Sequence, residues 1–247
     1  MLPEPVEAMF GGEEDYAAPM AQYLPMMKYV LFDYKRSQYP ISGTEIRRNP
    51  LMHWDYIPGA ARPFFAKKIL LTGTESVGKT TLAKYLAKIF HTPWSPPEVG
   101  RYYSSKHMGG NEAVFVPRDF DIIAYEQYLS DMDALRHANR FVFFDSDAVV
   151  TLYYARMYTQ DPEDFPGVKR FIDPGRYDCV IMLTPDVPWV DDGLRFNSDE
   201  KLRWELHAKL MKMYEEYGFG GKIHTVSGGY CERLRQAVAL VKAMEPK

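Results

Sequence analysis

The stretch from Ile69 to Phe90, ILLTGTESVGKTTLAKYLAKIF, constrains this chain more than any other. An apolar run of strand character leads into Gly73-Thr-Glu-Ser-Val-Gly78-Lys79-Thr80, and a helical pattern follows. The loop satisfies G-x-x-x-x-G-K-[ST] at every fixed position, between the strand and the helix that the mechanism of that motif requires. Gly73 and Gly78 allow a backbone turn whose N–H groups, from Thr74 through Val77, point inward. The helix that follows aims its positive end at an anion, and Lys79 adds a mobile charge. A polyphosphate is the natural guest. Thr80, followed by Thr81, would offer a hydroxyl to a magnesium ion bridging the phosphates, because magnesium takes few protein ligands and keeps substrate oxygens. The bland alternative is a glycine-rich turn before a surface helix.

Composition sets the outer bounds. With 247 residues, 46% hydrophobic and 15% aromatic, the chain has material for one good core, or one core and a small appendage. A formal net charge of −3 argues against a nucleic-acid surface, which carries a basic excess. Cys179 and Cys231 form no metal-binding pair, and a reducing cytoplasm fits best. The acidic start (Glu4, Glu7, Glu13, Glu14, Asp15) has neither a basic n-region nor an apolar h-region, and no run reaches the length of a membrane span. The six histidines lack ligand spacing, so surface or packing roles outweigh metal binding.

The pattern breaks at YIPGAARPFF, where Pro58, Gly59 and Pro63 interrupt it, and we expect a boundary there: residues 1–62 as one segment, 63–247 as the main domain. Beyond it, strands and helices alternate. A strand at 68–71 and a helix at 79–90 are followed by a loop through HTPWSPPEVGRYY and a long helix at 119–138. Then come the strand FVFFD, a helix at 148–158, the strand YDCVIMLT, a charged loop, a helix to about 217, the strand KIHTVS and a helix at 230–243. Such alternation predicts an α/β fold, a phosphate-loop-kinase-like parallel sheet with helices on both faces and ligands beyond the carboxyl ends of its strands.

Each strand end is therefore a place to seek chemistry. FVFF ends in Asp145-Ser146-Asp147, and an acidic residue at such a tip is where the second magnesium contact belongs, so Asp145 is the candidate, direct or through water. Asp147, just before a helix, reads equally as a helix N-cap or as a catalytic group. Glu98 could hold a hydroxyl or draw its proton, with Arg101 three residues on; a surface position is the alternative for both. The loop DVPWVDDGLR places Trp189, Asp191, Asp192 and Arg195 between a strand and a helix. Arg195 suits the charge of a transferring phosphoryl group, and closure of the loop would exclude water; a solvated acidic loop is the alternative.

Taken together, GTESVGKTTLA, PEVGR, the acidic DSD, PWVDDGLR and GGYCERLRQA resemble the kinase half of the bifunctional nicotinamide-nucleotide adenylyltransferase/ribosylnicotinamide kinase family, from about Lys67 to the end. Residues 39–65 resemble the end of the adenylyltransferase half and its junction, where Ser42-Gly43-Thr44 and Arg47 would meet phosphates; a helix N-cap alone also explains the serine and threonine. The H-x-G-H signature of such adenylyltransferases occurs nowhere in the chain, so no adenylyl transfer is expected and residues 1–62 are either a remnant or part of a shortened form of a longer protein. Tyr102 stands where the family often has glutamate, and Ser146 where threonine is usual.

The resemblance implies ATP- and Mg2+-dependent phosphorylation of nicotinamide riboside at its 5′-hydroxyl, a small-molecule reaction without nucleic acid or membrane. Lys79 and the amides of Gly73 through Thr81 would hold phosphates, Thr80 and Asp145 the metal, Glu98 or Asp147 the acceptor hydroxyl, and Arg195 the transition-state charge. Trp94 would stack on the cationic ring or else plug the core; Arg101 and Gln127 would bind riboside hydroxyls, with Trp189 and Asp192 closing on the substrate. Ser227, Gly228 and Tyr230 would border the adenine. Two other readings stay open: a phosphate-loop kinase of another nucleoside or nucleotide, and a regulatory protein that binds ATP without turnover.

Overall fold

The computed structural model describes residues 6–95, 99–109, 115–159, 165–189 and 199–246. Glu98, Asp191, Asp192 and Arg195 lie outside them. The chain divides into two compact units, Met1–His53 and Trp54–Lys247.

In the first unit, β1 (Ala8–Gly11) and β2 (Lys28–Leu31) pair in parallel, with α1 (Ala17–Tyr23) between them in sequence. A short α2 (Gly43–Arg48) follows, and Ser42 is its N-cap in a full capping box with Glu45. That cap accounts for the serine without any phosphate. Residues 54–62 belong to the second unit, although the proline and glycine signals place the boundary after them. Trp54 and Ile57 are sealed from solvent, the Arg62 guanidinium lies 5.6 Å from the Trp54 ring centre, and Arg62 Nε donates to the Ile57 carbonyl.

The second unit opens with α3 (Arg62–Phe65), β3 (Lys67–Thr72), α4 (Lys79–Ile89), α5 (Val99–His107) and α6 (Pro117–Arg136). It continues through β4 (Phe141–Asp145), α7 (Ala148–Thr159), α8 (Pro166–Lys169), β5 (Cys179–Leu183), α9 (Glu200–Glu216), β6 (Ile223–Val226) and α10 (Tyr230–Lys242). The strands form one parallel sheet in the order β4-β3-β5-β6, extended beside β4 by a bridge from Trp94 to Phe143. Every residue of β4 and β5 is buried, which is why both read as unbroken apolar runs: a parallel sheet is covered on both faces. One helical layer contains α4 and α10; the other contains α5, α6, α7, α8 and α9.

The expected elements are present with ends shifted by one or two residues, but VGRYY, expected as loop, begins α5. Only Tyr103 and Ser104 of that helix are buried, too few to give a helical apolar stripe. What fixes it is tertiary: the Tyr103 hydroxyl donates to Asp119 Oδ1 at 2.8 Å, at the start of α6.

Candidate active site

The loop after β3 turns where the glycines permit it. Gly73 has φ +143° and a side chain there would meet the Leu183 carbonyl at 2.8 Å; Gly78 has φ +89°, and its missing side chain makes room for the Tyr230 ring. Ser76 also adopts positive φ, +58°. Because Gly78 is the N-cap residue of α4, no side chain covers the first N–H groups of that helix. Lys79, 4% exposed, donates to the Thr74 carbonyl at 2.8 Å across the loop, while Thr81 stays exposed on the first turn.

Thr80 and Asp145, assigned from sequence to the same metal ion, touch: the Thr80 hydroxyl donates to Asp145 Oδ2. Asp145 is fully buried at the tip of β4, and its N–H donates to Ser95 Oγ at 3.0 Å. Two hard oxygens beside a helix mouth match what magnesium asks of a protein when phosphates supply the rest.

Asp147 has both of the roles that the sequence left open within its reach. Its Oδ1 accepts from the Val149 and Val150 N–H groups, capping α7, and from the Tyr214 hydroxyl at 2.5 Å. Asp147 also lines a cleft beside the phosphate loop. Burial pushes its carboxyl up to about 6, against the pull of the Tyr214 hydroxyl and the two N–H groups. Tyr214, in turn bonded to Thr72 Oγ1 at 2.6 Å, is raised well above a normal phenol by burial and by the Asp147 charge, so it remains protonated.

The cleft encloses about 740 Å³, open mouth included, and runs from Glu75 on the phosphate loop past Ser146 and Asp147. Arg101 and Gln127 line it, and Phe115, Tyr154 and Tyr158 supply aromatic wall, with the Tyr154 and Tyr158 rings stacked at 6.0 Å. Trp94 does not reach it. Its ring lies 5.3 Å from Lys84 Nζ, over a shallow depression bordered by Lys88, His91 and Pro93. Pairing beside Phe143 holds Trp94 at the sheet edge, so the aromatic faces available to an acceptor come from Tyr154 and Tyr158 of α7 and from Phe115 and Phe120 at the start of α6. Tyr154 and Tyr158 stand four apart just beyond DSD, a spacing visible in the sequence.

On the other side of the phosphate loop, Arg233 joins the segment expected to border adenine. It is 1% exposed; Nη1 donates to the Val77 carbonyl at 2.6 Å, Nη2 to the Thr184 carbonyl at 2.9 Å, Nε to the Gly228 carbonyl at 2.7 Å, and Nη2 also meets Asp186. Gly228 has φ +86° and donates to Asp186 Oδ2, and the backbone of Ser227 pairs with the Gln236 amide. Tyr230, half exposed, closes against Gly78. Burial pushes the Asp186 carboxyl up, but the Thr184 hydroxyl, the Gly228 N–H and Arg233 outweigh it and hold it below its usual value.

Trp189 is half-buried, and its indole N–H is sealed without an acceptor among the described residues. The same holds for Nε and Nη2 of Arg203, which is 5% exposed and donates Nη1 to the Val187 carbonyl. Burial lowers the Arg203 pKa while the charge of Glu75, on the phosphate loop, raises it.

This fold and site define a kinase-like phosphate-loop α/β protein. Residues 68–233 match the AAA domain family model, and the chain belongs to that family. It is homologous to the trifunctional NAD biosynthesis/regulator protein NadR of Escherichia coli (strain K12), 36% identical over 240 residues, 96% of this chain and 57% of that protein. The NadR of Salmonella typhimurium (strain LT2) is 37% identical over 235 residues, 94% and 55% of the two chains. The chain thus spans somewhat over half the length of these relatives. A crystal structure of a NadR protein in complex with NR superimposes with a TM-score of 0.78 at 29% identity, covering 96% of this chain and 68% of that one. Another, in complex with NAD and AMP-PNP, gives 0.75 at 28%, covering 96% and 66%.

Proposed function

We propose that the protein transfers the γ-phosphoryl group of ATP to the 5′-hydroxyl of nicotinamide riboside, giving nicotinamide mononucleotide. The observation that carries this is the continuity of the cleft with the phosphate loop. Glu75, Ser146 and Asp147 border a space walled by aromatic rings, so an acceptor lying there meets the end of a bound triphosphate. A NadR structure holding NR, taken as nicotinamide riboside, supports that acceptor.

In this reading the loop amides and Lys79 hold the β- and γ-phosphates, while Gly228 and Tyr230 border the adenine. Thr80 and Asp145 would hold a magnesium ion, which neutralises charge on the phosphates when bound. Asp147 accepts the proton of the attacking hydroxyl, a task suited to a carboxylate raised toward neutrality. The Nε and Nη2 hydrogens of Arg203, which meet no acceptor among the described residues, would complement negative charge at the phosphate loop. The stacked tyrosines of α7 offer their faces to a cationic ring, an attraction of about 0.5–2 kcal/mol depending on desolvation.

The reading is tested by ATP consumption across nicotinamide riboside, nicotinic acid riboside and the common nucleosides, with product masses. Nicotinamide mononucleotide should be the dominant product, with no NAD formed from it by this chain. A higher specificity constant for a purine or pyrimidine nucleoside would replace the acceptor.

A further inference from the structure

Gln127, a polar residue of the cleft wall, has its orientation fixed from behind. Gln127 Nε2 donates to Asp131 Oδ1 at 2.8 Å, and Asp131 Oδ2 accepts from Arg176 Nη2 at 3.0 Å. Asp131 is 1% exposed, and Arg176 is held by the Tyr128, Phe144 and Tyr177 rings, 5.1 to 5.5 Å from its guanidinium carbon. A carboxylate paired with arginine can only accept, so the amide must turn its N–H group toward it. The other amide atom, Gln127 Oε1, meets no donor among the described residues and is not sealed from solvent, so it opens on the cleft that Gln127 lines. Burial pushes Asp131 up to about 7, but the arginine and the Gln127 amide both donate to it, which is the geometry of the ionised form.

We propose that Asp131 and Arg176 are positioning residues that make Gln127 a specificity determinant: its carbonyl oxygen admits an acceptor molecule that donates a hydrogen bond there and discriminates against one that presents no donor at that place. The inference rests on the riboside reading and deepens it. The donor is either the carboxamide of the ring or a hydroxyl of the ribose, and both present the same N–H or O–H to Gln127. A nicotinic acid ring in that place would set a carboxylate against a carbonyl oxygen, leaving both without a partner.

Calorimetric binding decides it, with the whole chain and a non-hydrolysable ATP analogue present. The ligands are nicotinamide riboside, its 2′-deoxy and 3′-deoxy forms, and nicotinic acid riboside. Gln127→Met, similar in size and without the acceptor, should lower the preference for nicotinamide riboside over one of the others by roughly tenfold. Loss against nicotinic acid riboside identifies the carboxamide, and loss against a deoxy form identifies that hydroxyl. Asp131→Asn frees the amide to turn its N–H group outward, so where the carboxamide is the donor the affinity for nicotinic acid riboside should rise relative to nicotinamide riboside, and where a hydroxyl is the donor the preference over that deoxy form should fall. A purely structural role would weaken every ligand alike and leave the ratios unchanged. Unchanged ratios in Gln127→Met, or a wild type that binds none of the four, would overturn the proposal. Wild-type binding without phosphoryl transfer would remove the kinase reading while leaving this one standing.

Discussion

Replacing Arg233 with methionine should loosen two loops at once. The side chain is 2% exposed and ties the Val77 carbonyl of the phosphate loop to the Gly228 carbonyl, the Thr184 carbonyl and Asp186. Methionine keeps much of the volume, so the loss is polar. Removing one partner of a buried ion pair costs about 3–5 kcal/mol. Asp186 is 29% exposed and can be rehydrated, which favours the lower end, about 3 kcal/mol. For a chain of this size that is roughly a 6–12 °C fall in melting temperature. Because Gly228 and Val77 flank the proposed nucleotide, the KM for ATP should rise more than the KM for the riboside. Thermal melting of wild type and Arg233→Met, with initial rates at varied ATP and varied riboside, measures both effects. A melting temperature within about 2 °C of wild type with an unchanged KM for ATP would show that Arg233 does not tie these loops together.

Lys79→Ala should retain the melting temperature to within a few degrees and lower turnover by orders of magnitude, since the role proposed for its ammonium is on phosphate rather than in packing. Asp147 yields a pH prediction. With its folded pKa near 6 and the unfolded value near 3.8, the folded state binds the extra proton between those values, so this group's contribution to stability falls as pH rises from about 4 to 7. Turnover should move the other way, rising through about pH 6 as the carboxylate forms; urea midpoints and kcat across pH 5–8, with Asp147→Asn as the flat control, check both. Trp94→Leu should leave acceptor preference unchanged, whereas Tyr154→Leu should lower the specificity constant for nicotinamide riboside by roughly three- to thirtyfold, measured with all ribosides on one preparation.

The phosphate loop was legible because its chemistry is local: two glycines that must take positive φ, a lysine and a threonine at fixed spacing, flanked by elements of the right period. Asp145 was legible for a related reason, since an acid at the tip of an apolar strand in a parallel sheet has one neighbourhood to enter. Arg233 was not, because its partners Val77 and Thr184 lie 156 and 49 positions away and nothing near it marks a buried guanidinium. Tyr214 with Asp147, 67 apart, and Arg176 with Asp131, 45 apart, were hidden in the same way. Trp94 drew attention as the larger ring in a proline-bounded segment, yet its pairing beside Phe143 sets it at the sheet edge. The α5 helix was missed because the contact that holds it, Tyr103 to Asp119, is tertiary.

Phosphoryl transfer itself is read by a single turnover of ATP labelled at the γ-phosphate, with the chain in excess over the label and nicotinamide riboside present. The label should appear in nicotinamide mononucleotide as a 5′-phosphomonoester, and Asp147→Asn should slow its appearance while still binding ATP. Label found only in inorganic phosphate, or transferred equally fast by Asp147→Asn, would contradict the proposed chemistry.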